Sequence, residues 1–451
     1  MNDNLRRWLP WIAVAVVALI VIVVIAVNSG GDETATETTT TTDAPGESTT
    51  TSEAPEETTT TEAPEETTTT EAPVEISPIP LNIGSILPQT GGLAAIIDAL
   101  ENPIEMGVAE INAVVPDLVS VTYTDSGTDP NVAVTNIDEF LTGDYNAIVG
   151  PAATGVTLGV FDKVNESEIA MCSGSNTGAA LSAADYDPYY NRTAPSDAIQ
   201  APALADLVIQ DGFANVAVVW RSDEYGRGFG EALAASLEAS GATVALAEGY
   251  DQLAASFADL AASVVGSGAE ALVMITFDEG AQILQDLEGA GFAGQIYVGD
   301  GFKDNVSVDS VGGNAGLLEG IRGTAPSATP ANGEASFAER LEAFAPGTPT
   351  IFSAHFYDCL MVTVLAAQEA QSDDPTVFVS NMVSVTSGGE ACDSFESCWA
   401  LLQQGADIDY NGASGPLDFG PNGEPTIGTY DLFEYDGDGA PQTFDQIVGS
   451  L

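Results

Sequence analysis

From residue 81 onward the chain alternates short apolar runs with longer stretches in which apolar residues recur at intervals of three and four. LNIGSIL (81–87), LVSVTYT (118–124), AIVGPA (147–152) and EIAMC (168–172) have the length of strands, and the segments 96–114, 131–141 and 154–165 between them carry helical spacing. Strand and helix in strict alternation predict a parallel sheet covered on both faces. After Tyr189 the pattern restarts, with helical segments at 196–212, 230–241, 257–268 and 280–291 separating strands at 215–221, 243–250, 271–277 and 295–300. This predicts a second α/β unit of similar size. Two helices (336–345 and 353–370) and a glycine-rich tail with alternating aromatics (415–439) follow. Two parallel-sheet lobes joined by several crossings place a ligand in the cleft between them, where the carboxyl ends of the strands face each other.

The N-terminal region follows neither pattern. Residues 8–27, WLPWIAVAVVALIVIVVIAV, are uncharged and long enough as a helix to span the ~30 Å hydrocarbon layer of a bilayer. Arg6 and Arg7 precede them, so the seven-residue tail is expected in the cytoplasm. The run exceeds the apolar core of a signal peptide and no A-x-A site follows, so a retained anchor is the reading, with a cleaved segment as the alternative. Residues 28–77 are mostly Thr, Glu, Pro and Ala, with EAPEETTTT repeated at 53–61 and 62–70. Such a stretch has too few apolar side chains to offset ordering entropy and predicts a disordered tether reaching on the order of 40 Å.

Charge narrows the partners. The net charge is −58, and of nine Lys and Arg only seven lie beyond the apolar run. Nucleic acid and anionic lipid surfaces would be repelled. Four cysteines, at 172, 359, 392 and 398, lie in a chain expected outside the cytoplasm. Cys392 and Cys398 close a small loop easily, and Cys172 with Cys359 is a candidate second bridge. A metal site is the weaker reading, since zinc needs clustered ligands and there is one histidine; no cofactor is expected.

Enzymatic motifs are missing. Gly226, Gly228 and Gly230 follow a strand, but Glu231 stands where a dinucleotide fingerprint needs its third glycine, so a helix-entry turn is predicted. Neither a nucleophile elbow nor a Walker loop is present. His355 lies in a helical segment with no nucleophile to pair with, and is read as a packed or capping residue. The chain reads as a binding protein and not as an enzyme.

The candidate chemistry lies in loops at strand ends. In GPAATGVT, Thr154 can cap the helix that begins there, leaving N–H groups at the positive end of the helix dipole. The uncharged loop SGSNTG offers Ser175, Asn176 and Thr177 one strand later. Two neutral, donor-rich turns side by side make a cradle for one carboxylate; ordinary helix caps are the competing explanation. In the second unit Tyr225, Phe277 and Asp300 fall at strand ends. An acid opposite a carboxylate cradle suits the ammonium of a zwitterion, although Asp300 taken alone reads as a surface acid and the two aromatics as lobe packing.

IGSILPQTGGLA, AEINA, YTDSGTDPNVAV, AIVGPAATGVT, YNRTAPSDAIQAPALADL and VAVVWRSDEYGRGFGEAL occur in an order that resembles the bacterial leucine/isoleucine/valine-binding proteins. These are extracytoplasmic solute-binding proteins of ATP-driven (ABC) importers with the type I periplasmic-binding fold, and the resemblance covers about residues 78 to 445. It implies two Rossmann-like lobes, 78–195 with 326–418 and 196–325 with 419–451, joined by hinge crossings near residues 192–196, 323–327 and 416–420. It further implies that Thr154, Asn176 and Thr177 meet a ligand carboxylate, that Tyr225 closes over the ligand, and that Asp300 receives its ammonium. The loop from Leu87 to Gly92 would border the side-chain pocket. Relatives commonly carry serine, tyrosine and glutamate where this chain has Thr154, Phe277 and Asp300. The lipid-attachment cysteine usual in relatives is absent, and the apolar helix would take over anchoring.

The resulting expectation is a monomeric, membrane-tethered, extracytoplasmic protein that delivers an amino acid, branched-chain or otherwise aliphatic, to an importer permease. A sensor ectodomain acting through a partner membrane protein, or a binder of amides and urea-like solutes, are the alternatives.

Overall fold

The computed structural model describes residues 76–182, 188–331, 333–334 and 336–451. The apolar run 8–27 and the Thr/Glu/Pro stretch up to residue 75 lie outside the described residues, so the expected anchor and tether are not represented. Among the described residues no helix is long and apolar enough to cross a membrane.

The first sheet has the order β2-β1-β3-β4-β5. Its strands are β1 (Leu81–Leu87), β2 (Val119–Asp125), β3 (Ala147–Val149), β4 (Ala170–Ser173) and β5 (Tyr190–Arg192), all paired in parallel. Ser85 lies opposite Val149, and Val149 opposite Cys172, so the loops that leave β1, β3 and β4 emerge at one edge. β3 and β4 are buried along their whole length, which is why they read as unbroken apolar runs. The stretch 131–141, predicted as one helix, is two short ones, Pro130–Asn136 and Asp138–Thr142, meeting at the buried Ile137.

Sixteen of the eighteen residues of the helix Ser353–Ala370 are buried. Apolar on every side, it packs against the helix Ile97–Val114 and against β3 and β4. Most of its polar residues are satisfied internally, His355 Nδ1 being an exception. Gln368 exchanges hydrogen bonds with the Ile79 backbone at 2.8 and 2.9 Å, and Asp358 accepts the Tyr410 hydroxyl at 2.7 Å and the Ala413 and Ser414 N–H groups at 2.9 and 2.8 Å. Those last contacts hold a small third sheet, β11 (Glu390–Cys392), β12 (Ile408–Gly412) and β13 (Gly415–Pro416), that the sequence pattern did not predict. Both candidate disulfides are formed, Cys172–Cys359 and Cys392–Cys398.

The second sheet runs β15-β14-β10-β9-β8-β6-β7. β6 (Asn215–Arg221), β7 (Thr243–Tyr250), β8 (Ala271–Ile275), β9 (Gln295–Val298) and β10 (Arg322–Pro326) are parallel. The aromatic tail corrects the expectation of an all-parallel sheet: β14 (Ile427–Tyr435) and β15 (Pro441–Ser450) form a hairpin that adds two antiparallel strands beside β10. The short Gly-rich connection has no room for a crossover helix, so antiparallel pairing is the available geometry. The chain leaves the first sheet for the second after β5, leaves the second after β10 for the helix Ser353–Ala370 and the third sheet, and returns to the second after β13.

The glycines predicted to make a helix-entry turn lie inside the helix Glu224–Ala239, whose cap is Asp223, accepting the Gly226 N–H at 2.8 Å. Gly226 and Gly230 serve close packing instead, whereas a Cβ on Gly228 would meet open space. A Cβ at Gly226 would sit 2.2 Å from the Arg221 carbonyl oxygen, and one at Gly230 2.6 Å from the Trp220 ring.

Candidate functional site

At the carboxyl end of β3 the chain turns sharply at Gly150, where φ is +101° and a Cβ would lie 2.3 Å from the Ile86 carbonyl oxygen. The helix Thr154–Glu166 starts immediately after. Thr154 does not cap it: the capping position is Ala153, without a side-chain bond, and Thr154 is the first helical residue. Its Oγ1 accepts instead the N–H of Gly178 at 3.1 Å, which ties this loop to the one after β4. Ser175 adds a second tie, donating from Oγ to the Ala152 carbonyl at 2.9 Å.

Asn176 lies in the same loop but faces the other way. Its Nδ2 donates to the Ala152 and Pro151 carbonyls at 2.7 and 3.2 Å, while its Oδ1 accepts from Thr157 at 2.7 Å and Tyr190 at 3.0 Å. All its side-chain capacity is used in holding the loop. Arg192, wholly buried, grips the same loop by donating to the Asn176 and Gly178 carbonyls at 3.0 and 3.1 Å and to Ser182 at 2.8 Å, and it pairs with Glu424 through Nε at 2.7 Å.

The second sheet supplies the opposite wall. Tyr225 and Phe277 stack at 5.2 Å between centroids, and the Arg221 guanidinium, held by Asp223 and Glu279, lies 3.6 Å from the Phe277 ring centre. The Tyr225 hydroxyl donates to Asp300 Oδ1 at 3.2 Å and accepts the Gly301 N–H at 3.2 Å.

These two walls line a narrow cleft with about 20 Å³ of free space. Of the sequence-predicted residues, Thr154, Ser175, Thr177, Tyr225, Phe277 and Asp300 line it; Asn176 does not. Leu93, Ile96 and Phe352 add an apolar portion that the sequence reading did not name. The loop 87–92 stops just short of Leu93. Its Gly92 carbonyl accepts Asn305 Nδ2 at 2.9 Å, which joins the first wall to the second. Phe352 holds a left-handed backbone (φ 58°) at the start of the long buried helix, a conformation no sequence pattern announces.

The two ends of the cleft differ electrically. Thr154, Ser175 and Thr177 present uncharged polar groups at the positive end of a helix, a setting that favours an anion without a cationic side chain. Across from them Asp300 is buried, and burial raises its carboxyl above the usual carboxylate range despite the Tyr225 hydrogen bond. A buried acid held against its preference is stabilised by an incoming cation.

A cleft between two α/β sheets, closed by strand-end loops and carrying opposed polar ends, defines a solute-binding protein of the type I periplasmic fold. The chain belongs to the periplasmic binding protein family, whose profile matches residues 80–440. It is 26% identical over 238 residues to Leu/Ile/Val-binding protein homolog 3 of Brucella melitensis, spanning 52% of this chain and 64% of that protein, just under two thirds of its length. It is 24% identical over 375 residues, 77% of this chain and 86% of the relative, to BasB, a chemotactic signal transduction system substrate-binding protein of Halobacterium salinarum. Among solved structures, the branched-chain amino acid transporter substrate binding protein LivJ from Streptococcus pneumoniae, in complex with isoleucine, superposes with a TM-score of 0.68 at 18% identity, covering 82% of this chain and 100% of that one. A solute binding protein of an ABC transporter from R. palustris, in complex with benzoate, gives 0.67 at 15% identity, covering 82% and 97%.

Proposed function

We propose that this chain captures an α-amino acid with an aliphatic side chain and delivers it to an ABC importer from the outer face of the membrane. The observation that supports this reading is the pairing, across one cleft, of the uncharged polar residues Thr154, Ser175 and Thr177 with the buried Asp300 and Tyr225. A zwitterion satisfies both ends at once: carboxylate toward the helix start, ammonium toward the acid. The side chain is received by Leu93, Ile96, Phe277 and Phe352. Benzoate, the ligand of one structural neighbour, has a carboxylate and no cation, and would leave Asp300 buried and unpaired. The apolar run 8–27 and the acidic repeat stretch serve as anchor and tether in this reading, and lobe closure on the amino acid is the signal the permease recognises.

The likeness to BasB supports a second reading, in which the loaded form reports to a chemotactic partner. Both readings use the same cleft, and uptake of radiolabelled leucine by cells with and without this chain separates them.

The binding claim is tested by thermal shift of residues 70–451, a compact unit in its own right, against the standard L-amino acids, small amides and benzoate. An aliphatic amino acid is expected to raise the melting temperature in proportion to the logarithm of its concentration. Asp300→Asn should reduce affinity by roughly ten- to a hundredfold, the worth of a charge-assisted hydrogen bond. A shift with benzoate and none with any amino acid would overturn the assignment.

A further inference from the structure

The second sheet carries a groove at the end of β9 remote from the cleft. The helix Gly280–Ala290 closes on the left-handed Gly291 (φ 79°), the Phe292 N–H returns to the Leu287 carbonyl at 3.0 Å, and the chain enters β9 at Gln295. The turn Ala315–Leu317 leads into β10, which pairs in parallel with β9, so the amino ends of both strands meet the end of that helix. Between them lies about 300 Å³ of free space, against about 20 Å³ in the interlobe cleft. Asp300 follows the other end of β9, on the order of 15 Å from Gln295 along the extended chain.

The lining of this groove is apolar within and acidic at its mouth. Leu284, Leu287 and Ile321 are buried, and Phe292, Ile296 and Leu317 are half-buried around them. Glu288 and Glu319 are exposed, and neither side chain has an ion-pair or hydrogen-bond partner among the described residues. Gln295 spends both amide hydrogens on the Ile296 and Gly320 carbonyls, at 3.0 and 2.7 Å, and only its Oε1 is left over. The side-chain polar groups open to a solute are therefore all acceptors, two carboxylates and one amide oxygen. Exposed acids are common in a chain of net charge −58, but these border apolar surface that water solvates poorly. A solute that covers that surface must bring donors and positive charge; a carboxylate would meet only acceptors.

We propose that this groove is a second solute site, selective for a primary ammonium on a compact apolar body and closed to carboxylates. An ammonium has N–H donors and no acceptor, the complement of the side chains at the mouth, and Phe292 adds an aromatic face that favours a cation. The alkyl or aryl body covers Leu284, Leu287 and Ile321, and the free space is that of a small-molecule pocket. This demand is unlike that of the cleft, whose proposed ligand needs a carboxylate as well as an amine. All the lining residues belong to the second sheet and its connections, so lobe closure neither builds nor removes the groove. A ligand that meets the open and closed forms equally shifts neither, and amine binding should leave the affinity of the cleft unchanged. The inference stands apart from the amino-acid reading.

The test is methyl-resolved NMR of residues 70–451 titrated with 3-methylbutan-1-amine at neutral pH. Saturable shifts are expected at the methyls of Leu284, Leu287, Ile296, Leu317 and Ile321, and none at Leu93 or Ile96, which report on the cleft. 4-Methylpentanoate, the same branched body with a carboxylate for the ammonium, should leave the groove methyls unmoved. The neutral 3-methylbutan-1-ol should bind about three- to tenfold more weakly than the amine, and the amine should weaken by a similar factor in Glu288→Gln with Glu319→Gln, because both carboxylates are solvent-screened. Those two side chains are exposed, so the double variant keeps the fold. Equal binding of the alcohol or the carboxylate, or undiminished amine affinity in the double variant, overturns the proposal. So does a titration without saturable shifts. Shifts confined to Leu93 and Ile96, or competition between the amine and L-leucine, would put the amine in the cleft and overturn it as well. None of these results bears on whether an amino acid occupies the cleft, which the thermal-shift series decides.

Discussion

Asn305, in the loop after β9, donates through Nδ2 to the carbonyl of Gly92, in the loop after β1, at 2.9 Å. The contact spans the cleft, and the fit there is close: a Cβ on Gly92 would lie 2.9 Å from Asp278 Oδ1. Asn305→Ala removes the only side chain of the pair without filling space. Loss of one net hydrogen bond of ~1 kcal/mol from the closed arrangement alone predicts affinity for L-leucine weaker by about fivefold, through faster dissociation. Stopped-flow release of labelled leucine measures it; an unchanged off-rate would show that closure does not depend on this bond.

The Arg192–Glu424 pair holds the cradle loop to the turn before β14. Glu424→Gln leaves a buried guanidinium without its counter-charge, and an unfolding free energy lower by about 3–5 kcal/mol is expected in urea titration. Replacing both residues together, Arg192→Met with Glu424→Met, should recover part of that loss in stability. It should not restore amino-acid binding, because the Asn176 and Gly178 carbonyls would lose the donor that shapes their loop.

The Cys172–Cys359 bridge fastens the end of β4, two residues before the cradle loop begins its polar run, to the long buried helix. Gly174 packs so closely on that helix that its Cβ would meet the Phe356 nitrogen at 2.6 Å. Cys172→Ala with Cys359→Ala should lower stability by roughly 2–5 kcal/mol. Removing Cys392–Cys398, which closes a loop only six residues apart in sequence, should cost less. Calorimetry of the two double variants compares them directly.

His355 is buried in the helix Ser353–Ala370, its Nδ1 unpartnered, and burial pulls its pKa down to about 4, with Asp431 opposing. A depressed folded-state pKa means that the unfolded chain takes up its proton first as pH falls. The stability contributed by keeping this ring neutral is present above about pH 6.5 and is lost between there and about pH 4, by about 3 kcal/mol at most. His355→Phe should therefore shift the stability maximum of the unliganded protein toward acid, measured as melting temperature from pH 4 to 8. An unshifted maximum would mean the ring is protonated in the fold.

Some of the site was legible because its residues are fixed by local pattern. Thr154, Ser175, Thr177, Tyr225, Phe277 and Asp300 each follow the carboxyl end of a predicted parallel strand, and parallel strands in one sheet deliver those ends to one edge. Asn176 sits in the same loop yet turns inward, because Tyr190 and Thr157 offer its amide a better set of partners than the cleft. Thr154 has the sequence of a cap and the role of a cross-loop acceptor, since Gly178 brings an N–H to it from 24 residues away.

Alternation of apolar runs and helical periods along the chain determined the α/β class, the two successive units and the strand-end loops where polar chemistry would gather, because burial against a sheet imposes its period on local sequence. Tertiary structure alone decided that Phe352 and Leu93 complete the cleft and that Arg192 reaches Glu424 across 232 residues. Such encounters join segments remote in sequence, and their energies arise from desolvation and charge proximity that exist only once the two sheets have come together.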